Sequence, residues 1–132
     1  MSQSEHRGRL VVVDDEVELI TALCDSLRDA GFDATGFASP EAGLEALRKG
    51  EFDVLLSDLM MPRMDGIQLL QAMAADPALA VIPLILLTAV PSAVPPAVAA
   101  RVTVLRKPFG LDGLLEAMEK VLGAPEAPAD EA

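Results

Sequence analysis

Apolar positions along the chain follow two rhythms. Short runs lacking helical spacing occur at 9–13, 53–57, 83–87 and 102–105, and a weaker one lies between Phe32 and Phe37. Uninterrupted apolar runs of this length suit strands buried on both faces. Between them, apolar residues recur every three or four positions. Ile20, Leu23, Cys24 and Leu27 mark a helix over 16–30, stopped by Gly31. Ser39-Pro40-Glu41 starts a second, carrying Leu44 and Leu47 and ending near Gly50, with an N-cap, a first-turn proline and an acid at the positive end. Asp65 and Gln68 form a capping-box pattern for a third, with Ile67, Leu70 and Met73 on its inner face. Leu111, Leu114, Leu115, Met118, Val121 and Leu122 form the stripe of a last helix.

The stretch from Pro91 to Ala100 breaks the rhythm. Pro91, Pro95 and Pro96 allow at most a short helix over 95–100. Five strands alternating with helices predict an α/β fold: a doubly wound, five-stranded parallel sheet with a short or irregular fourth helix. The expected domain is 9–122, with a flexible N-terminus at 1–8 and a disordered acidic Ala/Pro tail or linker at 123–132.

Composition narrows the class. The chain has 132 residues, enough for one domain with a real core. It contains four Phe and no Trp or Tyr, so the core must be mainly Leu, Val, Ile, Ala and Met. A formal net charge of -11 opposes direct nucleic-acid binding. Cys24 is the single cysteine, which excludes an internal disulfide. No apolar run is long enough to span a bilayer, and no signal peptide is visible, so no membrane contact and a cytoplasmic location are expected.

The chemistry gathers where the strands end. The first strand runs into Asp14 and Asp15, the third into Asp58, the fourth into Thr88 and the fifth into Lys107. Ligands of open α/β sheets sit beyond these carboxyl ends. Three carboxylates there would repel one another, and a hard divalent cation such as Mg2+, with Mn2+ as an alternative, removes the conflict. A carboxylate can attack phosphorus to form an acyl phosphate, with an ammonium and a hydroxyl stabilising the equatorial oxygens.

Four segments carry a resemblance. Residues 11–16 (Val-Val-Val-Asp-Asp-Glu), 58–66 (Asp-Leu-Met-Met-Pro-Arg-Met-Asp-Gly), 87–89 (Leu-Thr-Ala) and 107–109 (Lys-Pro-Phe) resemble the motifs of response-regulator receiver domains, over roughly residues 9–122. The resemblance implies the flavodoxin-like strand order 2-1-3-4-5. It implies a chemotaxis-regulator-like receiver of a two-component or phosphorelay system, phosphorylated on Asp58 by a sensor histidine kinase or a histidine phosphotransfer protein. Asp15, Asp58 and the main-chain carbonyl of Met60 would hold Mg2+ directly, and Asp14 through water. Thr88 and Lys107 would contact the phosphoryl oxygens, the small Ala89 would keep Asp58 accessible, and the bond before Pro108 would be cis. Signalling would pass through protein contacts to an unknown downstream protein, from a monomer or weak homodimer. The chain would not be an enzyme beyond its own phosphorylation and slow dephosphorylation.

Two departures stand out. Val104 occupies a position where the family commonly carries an aromatic switch residue. The segment between Thr88 and Lys107 is shorter than usual and proline-broken. The resemblance implies a partner face made by the fourth helix, fifth strand and fifth helix, and output through an altered version of that face, or through another face such as the first helix, is therefore expected. Met60 and Val90 offer no acid or amide to position an attacking water, which predicts slow loss of the phosphoryl group.

Blander readings apply elsewhere. Asp65-Gly66 reads as a turn and cap without chemistry, and Met60, Met61, Met64 and Met73 read as packing residues. Cys24 reads as buried rather than reactive, and His6 as a tail residue. Two further functions compete: a receiver-like interaction module that is not phosphorylated in use, and the receiver part of a larger hybrid kinase. A metal-dependent phosphatase with an aspartyl nucleophile fits poorly. It needs an acid two residues past the nucleophile, where Met60 stands, and usually a cap domain for which the chain has no room.

Overall fold

The computed structural model describes residues 8–61 and 64–122. The expectations for 1–7, including His6, and for 123–132 lie outside the described residues. Gly8 is tied to the sheet, its carbonyl accepting from Asp33 N at 2.9 Å.

The strands are β1 Arg9–Val13, β2 Asp33–Phe37, β3 Val54–Asp58, β4 Leu84–Thr88 and β5 Thr103–Arg106. They form one sheet in the order β2-β1-β3-β4-β5, every pairing parallel, as the doubly wound reading requires. β3 and β4 are buried along their whole length, and β1 is buried after Arg9. Their side chains alternate between two cores, as the period of two in a strand demands. Leu10, Val12, Leu56, Ile85 and Leu87 meet α1 (Val17–Asp29) and α6 (Leu111–Leu122) on one face. Val11, Val13, Leu55, Leu84 and Leu86 meet α2 (Pro40–Lys49) and α3 (Gly66–Ala74) on the other.

The helix boundaries follow local chemistry. Ser39 Oγ accepts from Ala42 N at 3.2 Å to cap α2. Asp65 and Gln68 complete the reciprocal box of α3, with both bonds at 2.9 Å. After α1, Gly31 takes a φ of 100°, a left-handed conformation that suits glycine.

Several expectations need correction. β3, β4 and β5 each begin and end one residue later than the apolar runs suggest, so Asp58 and Thr88 are the last residues of their strands. A short helix, α4 (Pro77–Ala80), was not foreseen, although Asp76 caps it and Pro77 sits in its first turn. The inner face of α3 centres on Leu69 and Met73, with Ile67 and Leu70 only half-buried. Leu111 is exposed at the start of α6. Met60 is not a packing residue, being 70% exposed.

The proline-broken segment is reduced as expected. A 3-10 turn at Pro91–Ala93 and a four-residue helix, α5 (Pro96–Ala99), replace a full fourth helix, and neither contributes a buried residue. Val94 between them is buried in the second core.

Candidate functional site

The parallel sheet brings the predicted residues to one rim. Asp14 follows β1, Asp58 ends β3, Thr88 ends β4 and Lys107 follows β5. Asp14, Asp58 and Thr88 are buried, and Asp15 faces solvent. The Lys107 main-chain N–H donates to the Thr88 carbonyl at 2.8 Å, which fixes the end of β5 against β4. The Lys107–Pro108 peptide is cis.

Lys107 Nζ donates to Asp58 Oδ1 at 2.8 Å and lies 3.5 Å from Asp14 Oδ2. Burial alone would lower the lysine pKa. The hydrogen bond and charge of Asp58, with the charge of Asp14, outweigh it and raise the pKa. Asp14 moves the other way in chemical consequence. Burial pushes its carboxyl above the ordinary range, and the nearby charges of Asp58 and Asp15 add to this, against the hydrogen bond from Glu16 N and the charge of Lys107. Glu16 N donates to Asp14 Oδ1 at 2.9 Å.

Asp14 Oδ2 is buried and accepts no hydrogen bond. One carboxylate oxygen from each of Asp14, Asp15 and Asp58 lies within 4.8 Å of the others. A buried oxygen with no hydrogen bond, only a 3.5 Å ion pair to Lys107, beside two further hard oxygen donors is the arrangement a divalent cation satisfies. The residues present therefore fit Mg2+ or Mn2+.

Beside this cluster opens a cleft of about 310 Å³ lined by Asp58, Met60, Thr88, Ala89, Val90, Ala93 and Lys107. That size suits a small ligand group rather than an extended substrate. Thr88 Oγ1 accepts from Val90 N at 3.0 Å, which leaves its own proton for another acceptor. Met60 and Val90 present alkyl groups at the mouth, 70% and 54% exposed. Val104 is not part of the cleft; its half-buried side chain packs on the second core. Cys24 is buried on the inner face of α1, where desolvation raises its thiol pKa, and it is not among the residues lining the cleft.

Residues 10–119 match the response regulator receiver domain family. The chain belongs to that family. This receiver is 34% identical over 126 residues to the transcriptional regulatory protein FixJ of Bradyrhizobium diazoefficiens, covering 93% of this chain and 60% of that protein. It is 33% identical over 120 residues to a probable chemotaxis protein CheY of Rhizobium etli, covering 88% of this chain and 93% of the relative. Among solved structures, it matches Vibrio cholerae CheY4 with a TM-score of 0.79 and 29% identity, over 86% of this chain and 98% of the other. Receivers belong to two-component signalling and characteristically bind Mg2+ at such an acidic pocket, and their members are signalling proteins rather than typical enzymes. Among the described residues, no helix is long and apolar enough to cross a membrane.

Two features of the site were not visible in the sequence. The exposure of Met60 depends on the loop path after β3. Ser57 is fully buried and donates from Oγ to the Asp58 carbonyl at 2.9 Å, a contact that no spacing rule signals.

Proposed function

We propose that this receiver accepts a phosphoryl group on Asp58 from a sensor histidine kinase or a histidine phosphotransfer protein and signals through protein contacts. The observation that carries the reading is Asp58 itself: a strand-end carboxylate hydrogen-bonded to Lys107, beside the buried Asp14 oxygen that accepts no hydrogen bond and at the wall of a small open cleft. Asp15, Asp58 and the Met60 main-chain carbonyl would hold Mg2+ directly, with Asp14 acting through water. When bound, the cation supplies charge neutralisation at the phosphoryl oxygens.

A carboxylate oxygen of Asp58 attacks phosphorus. The bond from phosphorus to the donor atom breaks, the donor leaves with that electron pair, and Asp58 becomes an acyl phosphate. Lys107 shifts its ammonium toward the transferred oxygens, and the Thr88 hydroxyl donates its free proton to another of them. Ala89 leaves room for the group to enter. The alkyl side chains of Met60 and Val90 provide no base for a hydrolytic water, so phosphorylated protein freed of donor keeps its phosphoryl group far longer than it takes to acquire it. Rapid release of inorganic phosphate would contradict this.

The output partner is an unnamed protein rather than nucleic acid, given the acidic surface, and the active species is a monomer or weak homodimer in the cytoplasm. FixJ is longer than this chain, so the role of a receiver within a larger protein stands beside that of a single-domain regulator. The functional test is intact-mass measurement after incubation with acetyl phosphate and Mg2+. Wild type gains one phosphoryl group and Asp58→Asn gains none; an equal gain in both refutes the assignment.

A further inference from the structure

Asp58 occupies an unusual place in the ladder. The pairing of β3 with β1 stops at Ser57, opposite Val13, whereas the pairing with β4 continues to Asp58, opposite Leu87. The Asp58 peptide thus leaves the sheet with one neighbouring strand fewer than the residues before it. Two other groups converge on its main-chain carbonyl. Ser57 Oγ donates to it at 2.9 Å, from a fully buried position on the α3 side of the sheet. Gly66, the first residue of α3, approaches the same oxygen from beyond the loop: a Cβ there would stand 3.0 Å from the Asp58 carbonyl oxygen, 3.2 Å from Leu59 Cα and 2.6 Å from Leu86 Cδ2. The Gly66 N–H donates to the Leu59 carbonyl at 2.9 Å, closing the loop that carries Met60.

Resting on the receiver reading above, we infer that Ser57 and Gly66 are positioning residues that clamp the Asp58 peptide and so place its carboxylate for the cation and the phosphoryl group. A carboxylate has only two torsions between its backbone and its oxygens, so rotation of the peptide moves the oxygens directly. Nucleophilic transfer tolerates little misplacement. The hydroxyl restrains the carbonyl through its hydrogen bond. The bare Cα lets the start of α3 pack close to the same oxygen, and a methyl at 66 would press on backbone at two points that cannot move as a side-chain tip can. Gly66 therefore has a role beyond the turn and cap read from its dipeptide.

The test compares Ser57→Ala, Gly66→Ala and a control, Leu44→Val, which trims the second core under α2 away from the site. Three quantities are measured on folded protein: the Asp58 carbonyl 13C shift without metal, the Mg2+ affinity by titration, and the phosphorylation rate with acetyl phosphate at saturating Mg2+. Ser57→Ala is expected to move the Asp58 carbonyl resonance and to weaken Mg2+ binding and slow phosphorylation about threefold; Gly66→Ala does so about tenfold. Leu44→Val lowers the melting temperature and leaves all three unchanged. The inference is overturned if Ser57→Ala and any folded Gly66→Ala bind Mg2+ and react within twofold of wild type, or if Leu44→Val reproduces their losses. If wild type takes up no phosphoryl group the receiver reading fails, while the carbonyl shift and Mg2+ affinity still decide whether the clamp exists.

Discussion

The carboxyl-end rim and the segment from Pro91 to Arg106 are joined at Thr88 and Lys107, yet they are built differently. The acids and Thr88 of the rim stand at the ends of β1, β3 and β4, which are buried on both faces of the sheet after Arg9, and Lys107 reaches them from the end of β5. Its acid, hydroxyl and ammonium groups are held by hydrogen bonds of 2.8–3.0 Å. The neighbouring segment has a half-exposed edge strand, β5, and two helical fragments that bury no residue. It also has Val104, a half-buried aliphatic side chain packed on the second core. Chemistry that needs placement to fractions of an ångström sits on the rigid part. The part that would report phosphorylation sits where the local free energy of opening is small.

Paired core substitutions probe that contrast most strongly. Leu56→Ala in β3 removes a fully buried side chain and is expected to cost about 3 kcal/mol. Val98→Ala in α5 removes a half-buried one and is expected to cost below about 1 kcal/mol. Urea unfolding midpoints measure both, and equal losses would mean that the two regions are equally well packed.

A smaller effect of opposite sign is expected at the rim. Burial raises the Asp14 pKa in the fold above its ordinary 3.8. The unfolded chain therefore loses that proton first as pH rises. The resulting destabilisation begins near the ordinary value and is complete above the raised one. Asp14→Asn keeps an oxygen for Glu16 N and removes the buried charge. Without metal it should gain stability on the order of 1 kcal/mol at neutral pH, while losing stabilisation by Mg2+. A loss of stability in metal-free buffer would show that the ion pair with Lys107 outweighs the repulsion.

The subtlest expected response sharpens the comparison on the signalling side. Beryllofluoride with Mg2+ should slow amide exchange at 59–61 and at Ala89 and Val90, beside the cleft. Protection over Pro96–Ala99 should stay low, since this fragment has little helix to order. A response confined to a well-formed helix there would contradict the altered-output reading.

The difference between the regions also explains what the sequence revealed. Buried parallel strands are written as apolar runs, so β1, β3 and β4 and the residues at their ends were legible with shifts of one residue at most. The capping pairs Ser39-Pro40 and Asp65-Gln68 fixed the helix starts for the same local reason. The helix at Pro77–Ala80 was signalled by Asp76-Pro77 but is too short to show a period. The inner face of α3 was misplaced by about one residue because Ile67, Leu69 and Leu70 are all apolar, and only tertiary packing chooses Leu69. The contact of Ser57 with the Asp58 carbonyl and the close approach of Gly66 depend on how α3 docks against the sheet, which no single-residue pattern encodes.

The central claim is the identity of the phosphorylated side chain. An acyl phosphate is reduced by borohydride to the alcohol, so a phosphorylated aspartate becomes homoserine. After incubation with acetyl phosphate and Mg2+, reduction and peptide sequencing by mass spectrometry, homoserine is expected at position 58. Homoserine at 14 or 15 instead, or none in a protein that binds Mg2+, would contradict the account.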